Sequence, residues 1–441
     1  MKIFNPGIKF ISLLFVFPFG LGLFCAAQNV LTTDQAILEA LQYNYNIKVY
    51  QNEAAIAEND ITPGNAGMLP VLNLNTNATL GQTSFKQSYT TGTELNRSNA
   101  GSKNANGNLA FSWTVFDGMK MFVVYKRLSE FSELSQLNTK LQVEKTIAEV
   151  LMAYYEIVRQ KQILNVLDTN IVILNERLKV ADTRVKIGNG SRSDWLQIKV
   201  DLNAQLAGRI RQRKVIEVAK LNLNTIMGRE NVEFEVVNDI PLDYQPELDH
   251  LKTSVLERNT GIQIGKKNFL LTELSLKETR ALRYPKIALV ANYNMSATDN
   301  QAGFLLSNRQ LTWNTGVNAT WNLFNGFNQN RMERDANLRI ANSRIQLEGV
   351  KILVQNELFS AWQNYQTSIE ILNLEEENIL FAKENISLAL ERLRLNNISI
   401  IDMKEAQKSL EEVQNRLVLA RFEAKLAEIE LMRLNGDLLK E

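Results

Sequence analysis

Apolar and polar residues alternate along two pairs of short segments. Leu72, Leu74, Thr76, Ala78 and Leu80 interleave with Asn73, Asn75, Asn77 and Thr79. That period of two predicts a strand over 70–82. Leu109, Phe111, Trp113 and Val115 interleave with Asn108, Ala110, Ser112 and Thr114, giving a second strand over 107–117. The intervening 82–107, rich in Ser, Thr, Asn and Gly, reads as an exposed loop. The pattern returns with Ile287, Leu289, Ala291, Tyr293 and Met295 for a strand over 286–296. Leu311, Trp313, Val317, Ala319, Trp321 and Leu323 mark one over 310–324.

Each strand pair is followed by a helical period. Leu164, Leu167, Ile171, Leu174, Leu178, Ala181 and Val185 step by three and four, as do Ile379, Ala382, Ile386, Ala389 and Leu393. This is coiled-coil spacing. It predicts long helices over 119–187 and 327–395, each roughly 100 Å at ~1.5 Å per residue. They end at Gly188-Asn189-Gly190-Ser191 and Asn396-Asn397-Ile398-Ser399, and helices of half that length return over 193–228 and 400–436. Two further half-length helices precede the strands, over 33–66 and 251–282. The first opens on Thr32-Thr33-Asp34-Gln35, a capping-box pattern. An upper and a lower half placed end to end match one long helix, so the economical packing sets long helices beside such pairs. The linker 229–249, with Phe234, Val236 and Val237, reads as a belt at mid-height.

The series is a duplication. Trp113-Thr114-Val115-Phe116-Asp117-Gly118 returns as Trp321-Asn322-Leu323-Phe324-Asn325-Gly326, 208 residues later, and the same offset carries Arg184 to Arg392, Asp194 to Asp402 and Gly228 to Gly436. A constant offset over such a distance means a repeated structural unit: residues 28–228 and 250–441. Phe116-Asp117-Gly118 and Phe324-Asn325-Gly326 each close a strand and open a helix. Asp or Asn serves as a helix cap there and Gly permits the turn.

Composition narrows the chemistry. Residues 1–27 read as a signal peptide: Lys2 and Lys9, an apolar run from Phe10 to Phe24, then Cys25-Ala26-Ala27. Removal with the signal and lipidation are both open for Cys25, although Phe24 is bulky where a lipidation site wants a small residue. No later apolar run approaches the ~20 residues of a membrane helix. The 49 basic and 48 acidic residues lack the basic excess of a nucleic-acid binder. A single histidine, His250, and no cysteine beyond Cys25 argue against Cys/His catalysis and a zinc site. Gly188-x-Gly190 lacks the Gly-Lys-Ser/Thr ending of a phosphate loop. The expectation is a protein that is not an enzyme and carries no metal or cofactor.

Nearly charge-free strands, apolar on one face and Asn/Thr-rich on the other, suit a membrane β-barrel better than a soluble sandwich. Four strands cannot close a barrel, and open edges in lipid cost several kcal/mol per unpaired group. About eight strands fill their own interior, so three copies, giving twelve, is the economical ring. The competing reading is a non-conducting coiled-coil stalk or adhesin. Its solid axis would be apolar, and the Asn/Thr rows speak against it.

The duplicated helix–strand–strand–helix unit, the Trp-x-x-Phe-Asp/Asn-Gly motif and the Arg-x-x-x-Gly/Asn…Ser-x-x-Asp turns together resemble the TolC-like outer membrane efflux proteins over the whole mature chain. That resemblance implies a homotrimer in the outer membrane of a Gram-negative bacterium, embedded in its lipid, with most of the chain in the periplasm. It implies an exit duct for efflux or type I secretion, fed by an inner-membrane pump through a periplasmic adaptor. Carried over by position, it makes Asp402 and Glu405 pore carboxylates, with Asp194 the repeat counterpart of Asp402, and Arg184, Arg392 and Arg394 candidate latch partners. The turns Gly188–Ser191 and Asn396–Ser399 become adaptor contacts. Asn396 departs from the glycine of the family's second turn, and Gln197 stands where a second carboxylate would be expected. From spacing alone, Ser191-x-x-Asp194 and Ser399-x-x-Asp402 are also helix-capping patterns, and the two roles are compatible.

Overall fold

The computed structural model describes residues 30–303, 305–395 and 397–439. The signal segment, Cys25 and Asn396 lie outside the described residues. The chain is mainly helical with a membrane-type sheet, built from two copies of one unit. Its elements are β1 (Val30–Leu31), α1 (Thr33–Tyr43), α2 (Tyr45–Asn59), β2 (Val71–Ser88), β3 (Glu94–Phe116), α3 (Lys120–Lys186) and α4 (Arg192–Met227). They continue as β4 (Glu235–Val236), α5 (Leu248–Arg258), α6 (Thr260–Ala281), β5 (Lys286–Asn300), β6 (Ser307–Thr320), α7 (Asn328–Arg394) and α8 (Ile400–Asn435).

The helices form four columns side by side. The long α3 packs against α4 and α8 below and against α2 and α6 above, and α7 closes the row against α8 and α6. The short helices stack end to end. The α4 helix stops at Gly228 (φ 72°) and α8 at Gly436 (φ 75°). Each stop abuts a break in an upper helix. Asn44 accepts the Ile47 N–H at 3.1 Å and donates its side-chain amide to the Ile226 carbonyl at 2.7 Å. In the second copy, Asn259 accepts from Ile262 at 3.2 Å and donates to Leu434 at 2.9 Å. One asparagine therefore caps the start of the upper helix and satisfies a carbonyl left over at the end of the lower one.

These asparagines correct the expected single helices over 33–66 and 251–282. Each is two helices, because an Asn side chain that bonds backbone groups offers an alternative to the helical ladder. The pieces α1 and α5 stand at mid-height beside the belt. There β1 pairs in parallel with β4. Tyr154 of α3 locks the pair by donating to the Leu31 carbonyl (2.9 Å) and accepting from the Val237 N–H (3.1 Å). The belt covers a core that includes Ile157, Leu223, Met227 and Phe234.

The four long strands make one antiparallel sheet in the order β2-β3-β5-β6. The expected loop over 82–107 is a second correction. β2 and β3 stay paired through Ser88↔Glu94, with a bulge near Thr83/Phe85, and only 89–93 turns. Ladder pairing continues through polar residues, since strand preference follows surroundings more than side-chain type. The second hairpin likewise reaches Asn300 and Ser307, and β6 ends at Thr320, so Trp321 and Leu323 fall beyond it.

The strand-to-helix motif explains itself in this frame. Trp113 donates its indole N–H to the Met68 carbonyl and Trp321 to the Arg283 carbonyl, both at 2.9 Å. Each tryptophan ties the end of its hairpin to the turn where the upper helix becomes a strand. Asp117 accepts from the Met121 N–H (3.1 Å) and Asn325 from the Gln329 N–H (3.2 Å). Gly118 and Met119, like Gly326 and Phe327, then carry positive φ. The ring of Phe324 meets that of Phe327 edge-on.

Two glycines separate backbone strain from packing. A Cβ on Gly228 would lie 2.5 Å from the Tyr43 carbonyl oxygen, whereas one on Gly326 would meet nothing. Gly326→Ala should cost only the ~1–2 kcal/mol of a left-handed backbone. Gly228→Ala should cost more, because the stacked helix ends must also part. Thermal unfolding of both variants checks this, and equal losses would show that the junction is loose.

Candidate functional site

The chemistry-bearing residues converge at the end of the helical columns remote from the sheet. The α3 helix closes with the Asn189 N–H bonded to the Arg184 carbonyl (2.9 Å) and Gly188 at φ 75°, the six-to-one closure that a left-handed residue permits. The second tip repeats it, with the Asn397 N–H on the Arg392 carbonyl at 2.8 Å. Gly190 crosses so near α3 that a Cβ there would meet Arg184 Cβ at 2.7 Å.

The two capping patterns behave differently. Ser399 Oγ accepts the Asp402 N–H at 3.0 Å, so Ser399 caps α8. Ser191 makes no such bond to α4. Among the described residues the carboxylates of Asp402 and Glu405 form no ion pair, and both are exposed. Asp402 is thus held by its backbone, with its charge left free. Asp194 is half-buried instead. It lines a cavity of about 100 Å³ together with Arg177, Arg184, Ser191, Leu393 and Met403.

Of the three arginines singled out in the sequence, only Arg184 bridges the repeats. It is half-buried and donates to the Leu393 carbonyl at the end of α7. Arg392 and Arg394 are exposed and, among the described residues, unpaired. Asn397, Ile398 and Ser399 sit at the second tip, where Ile398 packs against the Ile386, Leu393 and Met403 cluster. Among the described residues, no ion pair joins Asp402 or Glu405 to Arg392 or Arg394 within one chain.

A polar layer that sequence reasoning missed lies just above. Arg177 is 3% exposed and donates to Gln407 Oε1 of α8 at 2.7 Å. Its second terminal nitrogen has no partner among the described residues. Burial pushes its pKa below the usual guanidinium range, and Asp201 opposes that shift. Lys404 of α8 pairs with Asp201 of α4 at 3.1 Å, and Gln205 of α4 donates to Glu411 of α8 at 3.3 Å. A signal existed: Asn170, Arg177 and Arg184 recur at seven-residue spacing, a polar stripe within the α3 seam. The partners of Arg177 and Arg184 lie more than 200 residues away and leave no local trace.

Among the described residues, no group of three His, Cys, Asp or Glu side chains is placed to hold a metal, and no helix is long and apolar enough to cross a membrane. The sheet is the element with a membrane-like surface. Leu74, Leu80, Leu311, Trp313 and Val317 stand exposed on one face. Asn73, Asn75, Asn292 and Asn314 occupy the other, where Asn292 donates to Asn314 at 3.2 Å.

Comparison with known proteins agrees with this division. The outer membrane efflux protein family matches residues 36–229 and 254–437, one stretch in each repeat. The outer membrane efflux protein BepC of Brucella suis biovar 1 (strain 1330) is 22% identical over 428 residues, covering 92% of this chain and 88% of that protein. The outer membrane protein VceC of Vibrio cholerae superposes with a TM-score of 0.73 at 16% identity, over 92% of this chain and 96% of its own. The CmeC outer membrane channel of Campylobacter jejuni does so with a TM-score of 0.75 at 14% identity, over 92% and 86%.

The buried layer yields a prediction. Arg177→Met leaves the Gln407 amide buried without its donor, at a cost of about 1–3 kcal/mol. Amide hydrogen exchange should quicken in 170–184 and 400–410 and stay unchanged in the belt. Unaltered exchange at the tip would remove Arg177 as a link between the two helical hairpins.

Proposed function

The chain belongs to the outer membrane efflux protein family, and from that premise we propose that three copies close into one outer-membrane duct. It conducts passively, receiving substrates from an inner-membrane pump through a periplasmic adaptor, in efflux or in type I secretion. The observation that carries this reading is the open sheet. Both β2 and β6 are unpaired edges, which lipid does not tolerate, and one sheet face is apolar while the other is lined with asparagine. Twelve strands from three chains remove every edge and turn the asparagine rows toward a wet lumen.

The helices support the same closure. On α7 the exposed Leu338, Ile345, Ile352 and Phe359 recur every seven residues, as do Leu374, Phe381 and Leu388, with Leu395 next in step at its C-terminal cap. These are coiled-coil seams without a partner. On the opposite flank, Val49 and Ile56 of α2 and Val200, Ile210 and Leu221 of α4 are also exposed. A ring would bring the α7 flank of one copy against the α2/α4 flank of the next and place most of the chain in the periplasm.

At the narrowed tip, Asp402 and Glu405 from three chains supply six carboxylates to the passage, favouring cations. Arg184, Arg392 and Arg394 act as latch groups. The turns Gly188–Ser191 and Asn397–Ser399 face the adaptor. Asp194, half-buried behind the first turn, supports that turn more than it lines the pore.

Purified protein in planar bilayers should give discrete, cation-selective current steps. Replacing both Asp402 and Glu405 with Ala should lower cation preference and weaken block by multivalent cations. Unchanged selectivity and block would leave these residues as caps only. No current from a verified trimer, either as it stands or with the 392–405 turn disrupted, would favour the solid stalk.

A further inference from the structure

The hairpin end of the sheet carries a cationic rim on its apolar face. Within β3, Lys103 shares a face with Leu109, Phe111 and Trp113, because no irregularity interrupts the pairing from 102 to 114. Within β6, Arg309 shares a face with Leu311, Trp313 and Val317. The cross-strand rows confirm the placement. Leu74, Leu109, Tyr293 and Trp313 form one row. Thr76, Gly107, Met295 and Leu311 form the next, and Ala78, Ala105, Ala297 and Arg309 the one above. The last row is Leu80, Lys103, Asp299 and Ser307. Charge therefore appears on this face at the row where the apolar band stops.

This border is shaped to receive a group. A cleft of about 670 Å³ opens there, lined by Leu80, Gly101, Lys103, Asp299 and Gln301 among others. Gly101 leaves room for the Gln301 side chain, which a Cβ would meet at 2.8 Å. Gln301 Oε1 accepts the Gly101 N–H at 3.0 Å, and among the described residues its Nε2 donors are unused. Lys103, Asp299 and Arg309 are exposed, and none forms an ion pair among the described residues. Asp299 sits opposite Lys103 and offsets one of the two cations. At ~4.8 Å per strand and ~3.4 Å per residue, two strands and two residues separate Lys103 from Arg309, about 12 Å.

We propose that this rim binds the phosphate of an outer-leaflet lipid, with the acyl chains lying along the apolar rows below it. The inference rests on the barrel reading, which puts this face in lipid and the hairpin ends outside. Continuity is the argument for a lipid over a free anion. Donors of positive charge border a mainly apolar, uncharged surface, so one ligand must satisfy both, and only an amphiphile with an anionic head does. Basic groups at the edge of a bilayer draw anionic headgroups by this combination.

The test uses the whole protein in phosphatidylcholine nanodiscs doped with diphosphorylated lipid A, and native mass spectrometry of the retained lipid. Wild type should keep diphosphorylated lipid A in preference to its dephosphorylated form. Lys103→Gln with Arg309→Gln should weaken that retention about tenfold, whereas Lys86→Gln, whose ammonium pairs with Glu94 at 3.2 Å, should leave it unchanged. Equal retention of both lipid forms, or no loss in the double variant, would overturn the site. Displacement by millimolar inorganic phosphate alone would show an anion site with no need of a lipid, and would overturn it too. Failure of the barrel reading is separate: the protein would then not float with liposomes at all.

Discussion

A bilayer offers no water to an unpaired amide, and the rest of this structure is arranged around that constraint. Four strands satisfy each other internally and leave two edges that only another strand can satisfy. The chain does not solve this with more strands of its own. It carries open strand edges above and, below them, unpartnered apolar heptads on α7 and exposed apolar residues on the α2/α4 flank. One closure would satisfy all of them. The duplication makes this economical, since one unit used twice supplies neighbours that fit as its own copies do.

Below the sheet the design problem changes from pairing edges to building length. A column of 67 residues, as in α3 and α7, faces a column assembled from two shorter helices. The joint between those pieces is the weak point, with exposed carbonyls at one helix end and free N–H groups at the next. Asn44 and Asn259 serve both with a single side chain. The glycines at 228 and 436 let the two backbones approach. The belt of β1, β4 and Tyr154 then splints the joint from the side.

Much of this was legible in the sequence, and the limits have physical causes. The period of two and the period of seven are both consequences of burying one face, so the strands and long helices announced themselves. Asn44 did not, because Leu41-Gln42-Tyr43-Asn44-Tyr45-Asn46-Ile47 contains no Pro or Gly and reads as continuous helix, whereas at Asn259 the nearby Gly261 is a breaker that the helical period on either side outweighs. The hairpin extension between 82 and 107 is not legible, because a strand with no face to bury shows no alternation. At the tip, Asp402 was recognisable from its offset to Asp194, but their unlike surroundings were not. The Arg177–Gln407 and Asp201–Lys404 contacts join the two repeats, and pairing across more than 200 residues has no signature in either segment.

The repeat offset is itself uneven. Trp113 to Trp321 is 208 residues, while the carbonyls they hold, Met68 and Arg283, are 215 apart. The first hairpin therefore contains seven more residues than the second, although the paired helices α3 and α7, and α4 and α8, have identical lengths. In a closed ring of three, the helical end presents six near-equal spokes. The mouth is a crown of three tall points alternating with three low ones. In such a ring the molecule would be a three-toothed object, and anything approaching that end would meet the polar tips around Tyr89 to Thr93 before the opening.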